Sequence, residues 1–249
     1  MNAGPRLDLG HPRDVTELLG DALRLLLAHP LRFLAMSAAI VVPAHLVVSG
    51  VGLEHLTAPY RPGAREVETI IATAVSFILV APLVTAATIH ALESVARGER
   101  PSAAASVLAA LETFTPLLMA VLLSAAGVVL GLAALILPGI YLAVRWVFVP
   151  QAVMIEGARG AEALRSSWRA VEGSWWRCLG VVLLANLAAA LPGLVVIVPV
   201  DALAEAADRE AVSLVGMILI ETLTAPFVAL VTTLLFFDLR VRREGARAA

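Results

Sequence analysis

Six apolar stretches, each close to 20 residues long, constrain this chain more than any other feature of its sequence. They cover 31–53, 69–92, 116–137, 139–156, 178–200 and 211–237. About 20 apolar residues in a helix span the hydrocarbon core of a bilayer. The whole chain is 60% hydrophobic and 15% charged, with a mean hydropathy of +0.90. Soluble domains carry about one-quarter charged residues. The expectation is an all-α integral membrane protein, a single polytopic domain over 1–249 with about six transmembrane helices.

Arginine placement predicts the orientation. Arg6, Arg13, Arg24 and Arg32 precede the first stretch, and Arg97 and Arg100 lie between the second and third. Arg159, Arg165, Arg169 and Arg177 separate the fourth from the fifth, and Arg240, Arg242, Arg243 and Arg247 follow the sixth. The other side holds Arg61, Arg65 and Arg209. The positive-inside rule therefore puts both termini in the cytoplasm, with 238–249 as a basic cytoplasmic tail. Asp201, Glu205, Asp208 and Glu210 form an acidic cap outside. Every basic side chain except histidine is arginine, which together with abundant alanine reads as GC-rich coding and a bacterial cytoplasmic membrane. Charged residues from Arg6 to Glu17 precede any long apolar run, so the first span is expected to serve as its own insertion signal. The single Cys178 rules out an intrachain disulfide framework.

Leu137-Pro138-Gly139 alone joins the third stretch to the fourth, which predicts a tight helical hairpin there. The fourth stretch is the shortest, and full and re-entrant crossings both fit it.

A repeat underlies the pattern. Residues 13–30 have an apolar stripe of Val15, Leu18, Leu19, Ala22 and Leu26 opposite Asp14, Glu17, Asp21 and Arg24. Asp14 followed by Glu17 predicts a capping-box start. A shift of 145 residues sets Glu17 on Glu162, Arg24 on Arg169 and Arg32 on Arg177. In that second copy Glu162, Arg165, Arg169 and Glu172 face one way, and Leu164, Trp168, Val171 and Trp175 the other. Ala81-Pro82-Leu83-Val84 likewise resembles Ala225-Pro226-Phe227-Val228. A weaker copy begins at Ser102. The expectation is three parallel pseudo-repeats, 13–92, 101–156 and 158–237, each an interfacial amphipathic helix followed by a hairpin.

Charge inside the apolar stretches marks the candidate site. Arg145 lies about 10 Å below the Pro138 turn at 1.5 Å per residue, and Glu221 has a comparable expected depth. An ionised group at such depth is costly and usually has a partner, a cavity or a function. Arg145 and Glu221 are therefore expected to pair, with Asn186 and Gln151 as further members of the network. Pro43, Pro82, Pro150, Pro192 and Pro226 fall inside spans, as kinks or hinges. His45 and His90 lie near opposite ends of their spans and make no joint metal site. Arg24, Arg32, Arg169, Trp175, Trp176 and Arg177 are candidate interfacial contacts, with membrane lipids, anionic ones in particular, as partners. A membrane-protein partner or a second copy of the chain also fits.

No Gly-rich phosphate loop, metal-binding helix motif or nucleophile elbow occurs, so no cofactor, metal or catalytic residue is expected. Nucleic-acid binding would need a basic soluble surface, and these arginines flank spans instead. The run Leu137-Pro138-Gly139-Ile140-Tyr141-Leu142-Ala143-Val144-Arg145-Trp146, then Pro150, Glu156-Gly157, Ser167-Trp168 and Gly173-Ser174-Trp175-Trp176-Arg177, resembles a known family. It is similar to the bacterial polytopic membrane domain of glycerophosphoryl diester phosphodiesterases. In fused members of that family the chemistry resides in a separate soluble barrel, which is absent here. The resemblance implies a non-enzymatic, lipid-facing accessory or scaffold module. The alternative is a permease-like transporter of a small or amphiphilic solute with a polar cavity near Arg145.

Overall fold

The computed structural model describes residues 10–48, 70 and 73–248. Among these, all regular structure is helical. The order is α1 (Val15–Ala28), α2 (Pro30–Val48), a π-helical turn (Ser76–Val80) running into α3 (Ala81–Ala96), α4 (Ala103–Glu112) and α5 (Phe114–Ala134). Then follow α6 (Ile136–Arg145), α7 (Val149–Glu156), α8 (Ala161–Val171), α9 (Trp175–Ala207) and α10 (Glu210–Ala248). Six stretches are long and apolar enough to cross a membrane: 30–47, 73–96, 114–134, 136–156, 175–207 and 211–245. Each overlaps one expected segment. The expected outer loop 54–68, with His55, Arg61 and Arg65, lies outside the described residues, as does Arg6.

The helix ends follow local chemistry. Asp14 and Glu17 form the expected capping box, with the Asp14 amide donating to the Glu17 carboxylate at 2.8 Å. Pro82 lacks the amide that a regular turn requires, and the π-turn immediately before it absorbs the irregularity. Pro82 and Pro150 lie inside the membrane-compatible stretches 73–96 and 136–156, each at the start of a helix. Pro192 and Pro199 lie inside α9, and Pro226 inside α10.

The break between α5 and α6 falls at Leu135, three residues before Pro138. Leu135 is extended at φ −166°, and Pro138-Gly139 belongs to the first turn of α6. A proline there costs little, because first-turn amides have no helical partner anyway. Gly139 serves close packing: a Cβ at that position would lie 2.4 Å from the Leu132 side chain and 2.7 Å from its backbone nitrogen. Gly127 gives way in the same manner to the ring of Trp146.

The fourth stretch is discontinuous. α6 ends at Arg145, and α7 starts again at Val149. Ser167 of α8 bridges the gap, its hydroxyl donating to the Arg145 carbonyl at 2.9 Å and accepting from the Phe148 amide at 3.1 Å. One side chain thereby satisfies two backbone groups freed by the break, which a dry environment demands.

α9 and α10 run further than expected, through the acidic cap, and turn at Asp208 with φ 47°. Their 33 and 39 residues correspond to roughly 50 and 58 Å of helix, beyond the ~30 Å core of a bilayer. The tail beyond residue 238 continues α10 to Ala248.

Burial concentrates at one end of the bundle. There the α1 face of Leu18, Ala22 and Leu25, the α2 residues Phe33 and Met36, and Leu230 to Leu235 of α10 are buried together. α10 packs along α9 and also against α1, α2 and α3. In contrast, Leu130 and Leu137 of the α5–α6 arm and Leu187, Leu191 and Val195 of α9 are exposed. Apolar side chains facing outward along whole helices are what a hydrocarbon solvent permits.

Candidate functional site

The structure distributes the polar residues over three places, and Arg145 and Glu221 fall in different ones. Arg145, half-buried at the end of α6, donates from Nε and Nη2 to the Tyr141 hydroxyl at 2.9 and 2.7 Å. Its Nη1 reaches the Trp168 carbonyl at 3.3 Å, and its guanidinium lies 4.6 Å from the Trp168 ring centroid. Tyr141 stacks on Trp175 with 5.9 Å between centroids, and the Trp175 indole donates to the Tyr141 carbonyl at 3.3 Å. Trp175 opens α9, next to Arg177. The expected ion pair with Glu221 does not form: Arg145 is engaged with Tyr141 and Trp168, and Glu221 with His45 and Ser76. Aromatic faces and a carbonyl replace the counter-ion.

The second place is a knot around Asp238, which is fully buried. Its carboxylate accepts from the Arg13 amide at 2.7 Å, from Arg177 Nη2 at 2.9 Å and from Arg242 Nε at 3.0 Å. Arg242 and Arg177 both also donate to the Arg13 carbonyl. The Arg13 side chain, itself 1% exposed, turns to Asp21 at 3.1 Å, which also holds Arg24 at 3.0 Å. This knot ties the start of α1, the start of α9 and the end of α10. Asp238 was hidden by its setting, as one acid among the arginines of a tail expected to be soluble.

The third place lies between α2, the π-turn and α10. His45 Nε2 and Glu221 Oε2 are 2.5 Å apart, and the Ser76 hydroxyl donates to the same oxygen at 3.3 Å. The His45 side chain is 9% exposed and that of Glu221 21%. Glu221 precedes Asp238 by 17 positions on one helix, roughly 26 Å away from the knot.

The remaining candidates separate. Gln151 is buried and donates to Thr232 and Thr233 of α10 at 3.4 and 3.5 Å, while its carbonyl oxygen has no partner. Asn186 is exposed and donates to Val182 of its own helix at 2.8 Å, so it joins no network. Arg32 lines a small recess with Phe33, Met36 and the start of α4, and its Nη1 is buried without a hydrogen-bond partner. Trp176 is 79% exposed.

Arg169 stands between two clefts on α8. One, of about 450 Å³, mixes Arg169, Arg240 and Arg243 with Glu156 and Glu172. The other, of about 490 Å³, is lined by Trp146, Ala161, Leu164, Arg165, Trp168 and Arg169, with no acidic side chain. Glu162, Arg165 and Arg169 of α8 point outward, while Ala163, Leu164, Ser167, Ala170 and Val171 are buried.

Among the described residues these features define an all-helical arrangement with six stretches long and apolar enough to cross a membrane, a cationic–aromatic rim and a histidine–carboxylate pair. A family model covers residues 102–241, more than half of the chain, and runs from the N-cap of α4 to the inner part of α10. The chain belongs to that family, described as domain of unknown function DUF7847. No curated protein and no solved structure matches it. The matched region contains the rim cluster, Asp238 and Glu221, whereas His45, Ser76 and Arg13 lie before it.

Proposed function

We propose that this is a non-catalytic, multi-pass protein of a bacterial cytoplasmic membrane that holds anionic lipid at its cytoplasmic rim and serves there as an accessory or scaffold. The supporting observation is the acid-free cleft on α8, where Trp146, Trp168 and Leu164 provide an apolar wall and Arg165 and Arg169 two exposed cations. Indole rings beside guanidinium groups suit a head group above its acyl chains. In this reading α1, α4 and α8 are interfacial helices leading three hairpin units, and both termini are cytoplasmic. The resemblance to the membrane domain of glycerophosphoryl diester phosphodiesterases points the same way.

The test is native mass spectrometry of protein released gently from its own membrane, with lipid identification. Arg165→Ala with Arg169→Ala is the informative variant, because neither side chain holds the fold together. An anionic lipid kept by the wild type and lost by the variant is expected. An identical bulk-lipid profile in both overturns the proposal. The permease-like reading draws its support from elsewhere, namely the interior pair of His45 and Glu221.

A further inference from the structure

Glu221 is the only charged residue of α10 between Ala211 and Phe237. In α2 the only titratable side chain from Phe33 to Val48 is His45. The single titratable positions of these two apolar stretches meet at 2.5 Å. Chance placement of isolated charges in apolar helices does not bring them together, and an unneeded pair would be cheaper to replace with aliphatic side chains. The third member, Ser76, opens the π-helical turn before Pro82, a rare form that is frequent at functional sites.

We propose that His45, Glu221 and Ser76 form a proton-binding site inside the helix bundle, at which uptake of a proton breaks the contact between α2 and α10. This inference stands apart from the lipid reading and rests on a different set of residues. With one proton between them, imidazole and carboxyl are neutral as a pair, the state an apolar setting favours. A second proton goes to Glu221 and leaves a neutral carboxyl facing an imidazolium. The ionic attraction across the two helices is then gone, and a net positive charge remains in the bundle. Adjacent irregularities give the helices room to respond: the π-turn beneath Ser76, Pro43 two residues before His45, and Pro226 five residues after Glu221.

Phe77, Ile78, Leu79 and Val80 complete the π-turn without charge. Of the helices packed on α2 and α10, α3 brings His90 and Glu93, six and three residues from its end at Ala96. α4 carries only Glu112, and α1 carries Glu17, Asp21 and Arg24 at the rim. α8 contributes Glu162, Arg165 and Arg169, also at the rim. α9 contributes Arg177 at the Asp238 knot, and Asp201 and Glu205 in its last turns. His90 is engaged with Ser106 of α4. Among the described residues, no ion pair links any of these groups to Glu221.

Infrared difference spectroscopy of the protein in lipid nanodiscs, titrated from about pH 8 to about pH 5, tests the site. The wild type is expected to gain a protonated-carboxyl band that Glu221→Gln lacks and His45→Asn displaces. Hydrogen exchange in the last two turns of α2 is expected to rise at the acid end in the wild type and to stay flat in Glu221→Gln. Should Glu221→Gln fail to fold, Ser76→Ala keeps both titrating groups and is expected to move the midpoint of the same band. Identical spectra in the wild type and Glu221→Gln, or a wild-type midpoint that Ser76→Ala and His45→Asn leave in place, overturn the proposal.

Discussion

Asp238 and Glu221 lie on the same helix and are held in opposite ways. Asp238 is enclosed by two guanidinium groups and a backbone amide, using both of its oxygens. Glu221 receives one imidazole and one hydroxyl, both at a single oxygen. A carboxylate with several fixed donors from three chain segments acts as a fastener. The two parts of α10 thus differ: around Asp238 it ties three segments together, and around Glu221 it makes a single side-chain bond to α2.

The most forceful way to break this contrast is Asp238→Ala. It strands Arg13, Arg177 and Arg242 around an empty position, and the removal of one partner of a buried ion network costs about 3 to 5 kcal/mol. The expected result is loss of folded protein in detergent, read by size-exclusion chromatography. Arg145→Ala should cost less, about 1 to 3 kcal/mol, because it removes hydrogen bonds and one cation–aromatic contact without leaving a buried charge unpaired. The thermal midpoint in nanodiscs measures it. A loss as large as that of Asp238→Ala would put Arg145 inside the knot.

Gln151→Leu should be nearly neutral, within about 1 kcal/mol, on the same thermal assay. The amide bonds to Thr232 and Thr233 are long, and both hydroxyls already donate to carbonyls of their own helix. The smallest effect concerns His29, between α1 and α2. Partial burial, then Arg32 and Arg100, lower its pKa from the usual 6.5. The unfolded chain therefore takes up the proton first, and stability falls as pH drops below about 6.5 toward the lower folded value. His29→Gln should flatten that slope slightly in a thermal titration. An unchanged slope would show that His29 does not set the acid sensitivity.

Much of the architecture is legible in the sequence, for a physical reason. Helix length and composition report on hydrocarbon thickness, so each of the six apolar stretches is recovered among the helices. The outward and inward residues of α8 follow from 3.6-residue periodicity, because that helix has one polar face. Partners are another matter. α10 is apolar on every side through its middle, so periodicity does not reveal which way Glu221 points. His45 and Glu221 are 176 residues apart, and Arg13 and Asp238 are 225 apart. Such pairings depend on helix order and rotation, which local pattern does not encode. Comparable depth along the chain likewise does not make Arg145 and Glu221 partners, because it leaves helix order and rotation open.

The bond between the Arg13 amide and Asp238 carries a topological consequence. It brings two points 225 residues apart to within 2.7 Å of each other. A path that leaves one face of a sheet and comes back to the same spot must pierce the sheet an even number of times. The parity of crossings between residues 13 and 238 is thereby settled by a single hydrogen bond, independently of any count of hydrophobic segments. A reporter placed before Arg13 and another placed after Asp238 must read the same compartment, whichever compartment that is.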